Sequence, residues 1–128
     1  MRVALDTNCY VGFCRGEEYP MKVMQTAHEL LLPFVVLGEL RAGFACGNRT
    51  AQNANTLTRF LNKPRVKVLY PDDGTTHHYA NLFKQLRQQG TPIPTNDLWI
   101  AALCVQHGLL LATSDGHFDH LPQIPRYH

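Results

Sequence analysis

Long apolar runs are missing from this chain. No stretch approaches the roughly 18–20 residues a membrane span needs, so no membrane role is expected. Charge is scarce as well. Only 17% of the 128 residues are charged and the net charge is +2. That balance does not by itself announce a nucleic-acid binder, although it leaves room for a local basic patch. No CxxC pair occurs among the four cysteines, Cys9, Cys14, Cys46 and Cys104. They lie in apolar company, which favours buried, reduced thiols over a disulfide or zinc framework. No basic, apolar leader opens the sequence, so a cytoplasmic protein is expected. Repeats and low-complexity segments are also absent. What is present is a 45% hydrophobic fraction, enough to bury a real core in one domain spanning residues 1–128.

Hydrophobic periodicity divides the chain into alternating strands and helices. "RVALD", from Arg2 to Asp6, reads as a short buried strand ending on an acid. "TNCYVGFCRG" reads as a short helix or turn, stopped by Gly16. Met21, Met24, Ala27 and Leu31 recur at helical steps in "EEYPMKVMQTAHELL". Leu30 to Pro33 reads as a strand, followed by a helix from Val35 or Val36 past Ala45. "RTAQNANTLTRFLN" is helical, "VKVLY" is a strand, and "PDDG" is turn chemistry. "THHYANLFKQLRQQG" is an amphipathic helix with Tyr79, Leu82, Phe83 and Leu86 inward. A proline-set loop, "TPIPTND", then leads into an apolar helix that buries Leu98 to Val105 and ends at Gly108. Asn96 or Asp97 is placed to cap it. "LLLAT" is a buried strand, and the tail holds at most a weak edge strand. This alternation defines an α/β class with a mostly parallel central sheet.

Sites in such sheets form beyond the carboxyl ends of the strands. Four of the ten acids point there. Asp6 ends the first strand, and Glu39 rides the first turn of the helix after "LLLP". Asp97 heads its helix, and Asp115 follows "LLLAT". Each has an ordinary reading alone: a strand-end turn, a solvated helix position, an N-cap, an Asx-turn. Together at one edge they form a cluster of like charges. Two carboxylates about 5 Å apart repel by roughly 3 kcal/mol at an effective dielectric near 20. Such a cluster calls for a divalent counter-ion, and carboxylates suit hard ions such as Mg²⁺ or Mn²⁺. All-carboxylate metal sites commonly serve phosphate chemistry. His77, His78, His117 and His120 lack the helical i,i+4 spacing of a zinc site, so zinc is not expected.

"LDTN" at Leu5–Asn8, "GELRAG" at Gly38–Gly43, "IPTNDLWIAA" at Ile93–Ala102 and "LATSDGHFDHL" at Leu111–Leu121 resemble PIN-domain ribonucleases. The resemblance is strongest to the VapC-type toxins of VapBC toxin–antitoxin modules, and it covers nearly the whole chain in order. It implies a Rossmann-like three-layer sandwich. It also implies that Asp6, Glu39 and Asp97 hold Mg²⁺, with Mn²⁺ as a substitute, and that Asp115 is the fourth acid. Some relatives carry that acid two positions later, where this chain has His117; Asp115 is chosen because "HF" then packs Phe118 inward. Thr7, Asn8 and Thr113 become supporting polar groups, and Arg41 a contact to RNA or a partner. The implied reaction is endonucleolytic hydrolysis of RNA, leaving a 5′-phosphate and a 3′-hydroxyl. Implied partners are RNA, a second copy of the chain docked through "YVGFC" and the Met21–Leu31 segment, and an antitoxin (VapB-like) whose tail crosses the acidic groove. A metal-dependent DNA nuclease or phosphohydrolase on the same acids, or an inactive binding module of this fold, stay open at this point.

Overall fold

The computed structural model describes residues Met1–His128. Its elements run β1 (Arg2–Leu5), α1 (Thr7–Cys14), α2 (Glu18–Thr26), β2 (Glu29–Pro33), α3 (Phe34–Cys46), α4 (Thr50–Leu61), β3 (Val66–Leu69), α5 (Asp73–Gln89), α6 (Thr95–His107) and β4 (Leu110–Ala112), then a 3₁₀ turn over Gly116–His120. The sheet order is β3-β2-β1-β4. Every pairing is parallel. Parallel strands need helical crossovers, and the helices cover the sheet faces. The central strands are accordingly apolar throughout: Val3, Ala4, Leu5, Leu30, Leu31, Leu32 and Leu111 are all buried. No helix is long and apolar enough to cross a membrane.

The register fixes the level of the site. Ala4 lies opposite both Leu31 and Leu111, and Leu5 opposite Ala112. The residues after Leu5 and Ala112 therefore leave the sheet side by side at its carboxyl edge. They are Asp6 and Thr113, both buried. The chain end reinforces β4. Leu111 N–H donates to Pro125 at 2.9 Å, Tyr127 N–H donates to Leu111 at 3.1 Å, and a single parallel bridge pairs Leu111 with Arg126. That bridge is the weak edge strand expected of the tail.

Several local expectations need correction. The helical pattern assigned through Leu31 stops at Thr26. His28 and Glu29 N–H groups donate to Met1 O, and Arg2 pairs with Glu29, so the sheet ladder takes the chain there. Phe83 is not inward but 49% exposed, lying against Tyr79 with ring centroids 6.3 Å apart. Val105 is also exposed, because a helix packed on one side turns part of its circumference to water. Cys9 and Cys104 are buried, as expected of reduced thiols, but Cys14 and Cys46, at the last residues of α1 and α3, are exposed. Within the segments assigned to self-association, Tyr10, Val23, Met24 and Ala27 also pack into the core.

Close approach between α1 and α2 depends on Gly12. A Cβ there would meet Glu17 Oε1 at 2.6 Å and Pro20 Cγ at 2.7 Å. Gly90 and Gly108 end α5 and α6 with φ of 70° and 63°, the left-handed cap conformation that suits glycine.

Candidate metal centre

Each acid reaches the carboxyl edge by a different local device. Asp6 is the N-cap of α1, and its Oδ1 accepts from Cys9 N–H at 2.8 Å. Its Oδ2 accepts from the Thr113 hydroxyl. That hydroxyl oxygen also accepts from Asp115 N–H at 3.0 Å, so Thr113 ties the ends of β1 and β4 together. Glu39 sits in the second turn of α3 rather than the first, because the helix begins at Phe34 directly after the strand. Its Oε1 accepts from Thr7 Oγ1 at 2.8 Å. Asp115 caps the 3₁₀ turn by accepting from His117 N–H at 2.8 Å. The Asx-turn geometry is real, and it leaves the carboxylate facing the other acids.

Asp97 does not cap its helix. Pro94, with φ −57° and ψ 146°, occupies the N-cap position and starts α6 at Thr95. The proline ring fixes the φ that this junction needs, and its missing N–H costs nothing at a helix start. Asp97 is thereby left free in the first turn, with its Oδ2 held by His117 Nδ1 at 2.8 Å. The same Nδ1 lies 3.0 Å from Asp115 Oδ1. Ligand atoms of Asp97, Asp115 and His117 all fall within 4.8 Å of one another. Glu39, Asp97 and Asp115 line one open pocket with Pro94, Thr95 and Asn96.

The electrostatics follow from this crowding. Burial pushes the Asp6 carboxyl above its usual range against the hydrogen bonds from Thr113 and Cys9, and the Asp115 and Asp97 charges push it further. Asp97 is likewise raised, first by burial; the His117 hydrogen bond opposes this, and Asp115 and Glu39 add repulsion. No lysine or arginine forms an ion pair with any of the four acids. At 4.8 Å or less, a pair of carboxylates repels by about 3–4 kcal/mol at an effective dielectric near 20. A cation in the pocket is the economical remedy. The donor set, mostly carboxylate oxygens with hydroxyls behind them, fits a hard divalent ion.

The other named residues divide. Thr7 and Thr113 join the network. Asn8 is exposed and makes no side-chain hydrogen bond. Arg41 is exposed too, and forms no ion pair. Lys63, Arg65 and Lys67, a cluster of basic residues around the start of β3, are spent on structure: Arg65 donates to Ala27 O at 2.8 Å, Lys67 pairs with Glu29 at 3.6 Å, and Lys63 lies over the Phe13 ring. Asp119, four residues after Asp115, pairs with Arg126 at 2.8 Å. Phe118 is fully buried, as the choice of Asp115 requires. His117 is the residue sequence reasoning passed over. Its signal was its place two residues after Asp115, where some relatives carry the acid.

A parallel sheet whose carboxyl edge brings Glu39, Asp97 and Asp115 to one open pocket, with buried Asp6 near them, has the place and the charge of a cation site. The chain belongs to the PIN-domain family, whose model matches residues 3–124. Its relatives within that family are VapC ribonucleases. It is 30% identical over 115 residues to Ribonuclease VapC1 of Haemophilus influenzae strain R2866, covering 85% of this chain and 83% of the relative. It is 28% identical over 123 residues to Ribonuclease VapC4 of Mycobacterium tuberculosis, covering 96% and 93%. Among solved structures, VapBC-1 from nontypeable Haemophilus influenzae superposes with a TM-score of 0.86 at 26% identity, over 99% of this chain and 97% of that one. The expected family and fold class are thus borne out.

Proposed function

We propose that this chain is the toxin of a VapBC-type module, a Mg²⁺-dependent endoribonuclease whose ion is held by Asp6, Glu39, Asp97 and Asp115. One observation carries the reading: Glu39, Asp97 and Asp115 line one pocket, buried Asp6 lies close enough to feel the Asp97 and Asp115 charges, and no lysine or arginine pairs with any of the four. The identities to proteins named as ribonucleases support RNA as the substrate.

Bound there, Mg²⁺ or Mn²⁺ supplies Lewis-acid polarisation of the phosphate and activation of water. The residues supply the rest. Asp6, tied to Cys9 and Thr113, is the most firmly held of the four acids. Glu39 is oriented by Thr7. Asp97 and Asp115 stand at the open side, where an incoming water is reached. One of them takes the water's proton as its oxygen bonds to phosphorus. The bond from phosphorus to the 3′-oxygen breaks, and the proton returns to that leaving oxygen. The products carry a 5′-phosphate and a 3′-hydroxyl. Arg41, exposed and unpaired two residues after Glu39, is placed to bind RNA phosphate or a partner's acid.

The solved structure of VapBC-5 from Mycobacterium tuberculosis, 25% identical with a TM-score of 0.78, is of a member of the VapBC family of toxin-antitoxin systems, which supports a VapB-like antitoxin for this chain. A basic side chain on that partner's tail is attracted to the four acids, giving inhibition a physical cause. The test is a cleavage assay with end-labelled RNA and DNA, Mg²⁺, and the wild-type and Asp97→Asn proteins. RNA should be cut by the wild type alone, and chelator should stop it. Wild-type rates from Asp97→Asn, or cleavage of DNA only, would refute the assignment.

A further inference from the structure

We infer that His117 is a fifth ligand of the proposed ion, and that its nitrogen tilts the site toward Mn²⁺, Co²⁺ and related ions over Mg²⁺. This rests on the metal centre proposed above and adds to it a donor of a different chemical kind. The geometry is specific. His117 Nδ1 stands 2.8 Å from Asp97 Oδ2 and 3.0 Å from Asp115 Oδ1. An octahedral ion with ligands at about 2.1 Å separates adjacent donors by about 3.0 Å. His117 Nδ1 is thus at ligand-to-ligand spacing from each carboxylate, and donor atoms of all three residues lie within 4.8 Å of one another. Two forces hold the ring there. His117 N–H donates to Asp115 Oδ1, which fixes the backbone at the start of the 3₁₀ turn. Phe118, fully buried, anchors the next residue in the core. The imidazole is thus aimed by its neighbours rather than swinging freely.

The chemistry separates the ions. Mg²⁺ prefers oxygen donors, whereas imidazole suits first-row transition ions, whose affinities rise from Mn²⁺ to Co²⁺ and beyond. An imidazole in place of a further carboxylate also removes one negative charge from the donor set. Both effects weaken the advantage of Mg²⁺ and leave Co²⁺ strongly held.

The test uses the full chain, stripped of metal by chelator. Calorimetric titrations with Mg²⁺, Mn²⁺ and Co²⁺ are run on wild type, His117→Ala and His117→Asp, with pulsed EPR of each Mn²⁺-loaded protein. Melting in chelator confirms that the variants are folded. Wild type should show ¹⁴N coupling to Mn²⁺ that both variants lose. In His117→Ala, Co²⁺ affinity should fall tenfold or more while Mg²⁺ affinity changes by about threefold or less. His117→Asp should bind Mg²⁺ at least as tightly as wild type. Nitrogen coupling that survives in His117→Ala, or equal losses for all three ions, would overturn the assignment and leave His117 as a group that merely positions Asp97. Failure of the underlying metal centre looks different: no ion would bind the wild type, or Asp97→Asn would bind as well as wild type. His117's role would fall with it.

Discussion

Replacing Asp6 by Asn should make the metal-free protein more stable while destroying its activity. Asp6 is 5% exposed, and its charge is close enough to Asp115 and Asp97 to be repelled by both. Asparagine keeps the geometry. Its carbonyl can accept from Cys9 N–H, and Asn and Asp are equivalent N-caps. Its amide can donate to Thr113 Oγ1, which has a second lone pair for Asp115 N–H. The charge is what disappears. Burial of that charge comes first and repulsion from Asp115 and Asp97 adds to it, together roughly 3 kcal/mol at an effective dielectric near 20. Loss of two charge-assisted hydrogen bonds offsets roughly 1–2 kcal/mol of this. The net gain is about 1–2 kcal/mol, or roughly 3–10 °C in melting temperature for a chain of this size. The assay is thermal unfolding of both proteins in EDTA and then in excess Mn²⁺. In metal the order should reverse, since an ion at a hundred times its Kd adds about 2.7 kcal/mol to wild type alone. The pH dependence carries a sign. The folded Asp6 pKa is raised above its unfolded value of 3.8. Wild type therefore gains stability as pH falls through the raised pKa toward 3.8, and the gap to Asp6→Asn closes. An Asp6→Asn protein that melts below wild type in EDTA, or equal Mn²⁺ stabilisation of both, would refute the reasoning.

Thr113→Val keeps the shape but strips the hydroxyl shared by Asp6 and Asp115 N–H; Mn²⁺ affinity measured by calorimetry should fall about 10–100-fold. Phe118→Ala empties a fully buried site beside His117 and should cost about 3–5 kcal/mol in denaturant unfolding. Gly12→Ala forces a Cβ against Pro20, so unfolding should show a loss of about 1–3 kcal/mol. Divalent-ion affinity should weaken on acidification from a higher pH than free carboxylates would give, because Asp6 and Asp97 are both raised; calorimetry across pH 5–8 reads this directly.

The strands were legible because burial on both faces leaves continuous apolar runs, as in "RVAL" and "ELLLP". Asp6 and Asp115 were legible because they follow apolar strand runs, and Glu39 and Asp97 because each is an acid set in apolar helical sequence. What the sequence hid was tertiary. Periodicity carried α2 past Thr26 because nothing local announces that Glu29 pairs with Arg2. Asp97 looked like a cap because Asp commonly is one, yet Pro94 two residues earlier already starts the helix. His117 was set aside on sequence spacing, a criterion suited to ligands from one helix. Here its partners come from α6 and the end of β4, so only the folded chain brings the three together.

The sheet order has one more consequence. β1, made first, is flanked by β4, made almost last, and Thr113 locks Asp6 in place only when both are present. A nascent chain that has not yet emitted residue 97 owns just two of the four acids and no finished pocket. The proposed site is therefore incomplete until Asp97, Thr113 and Asp115 have been made and β4 has paired with β1.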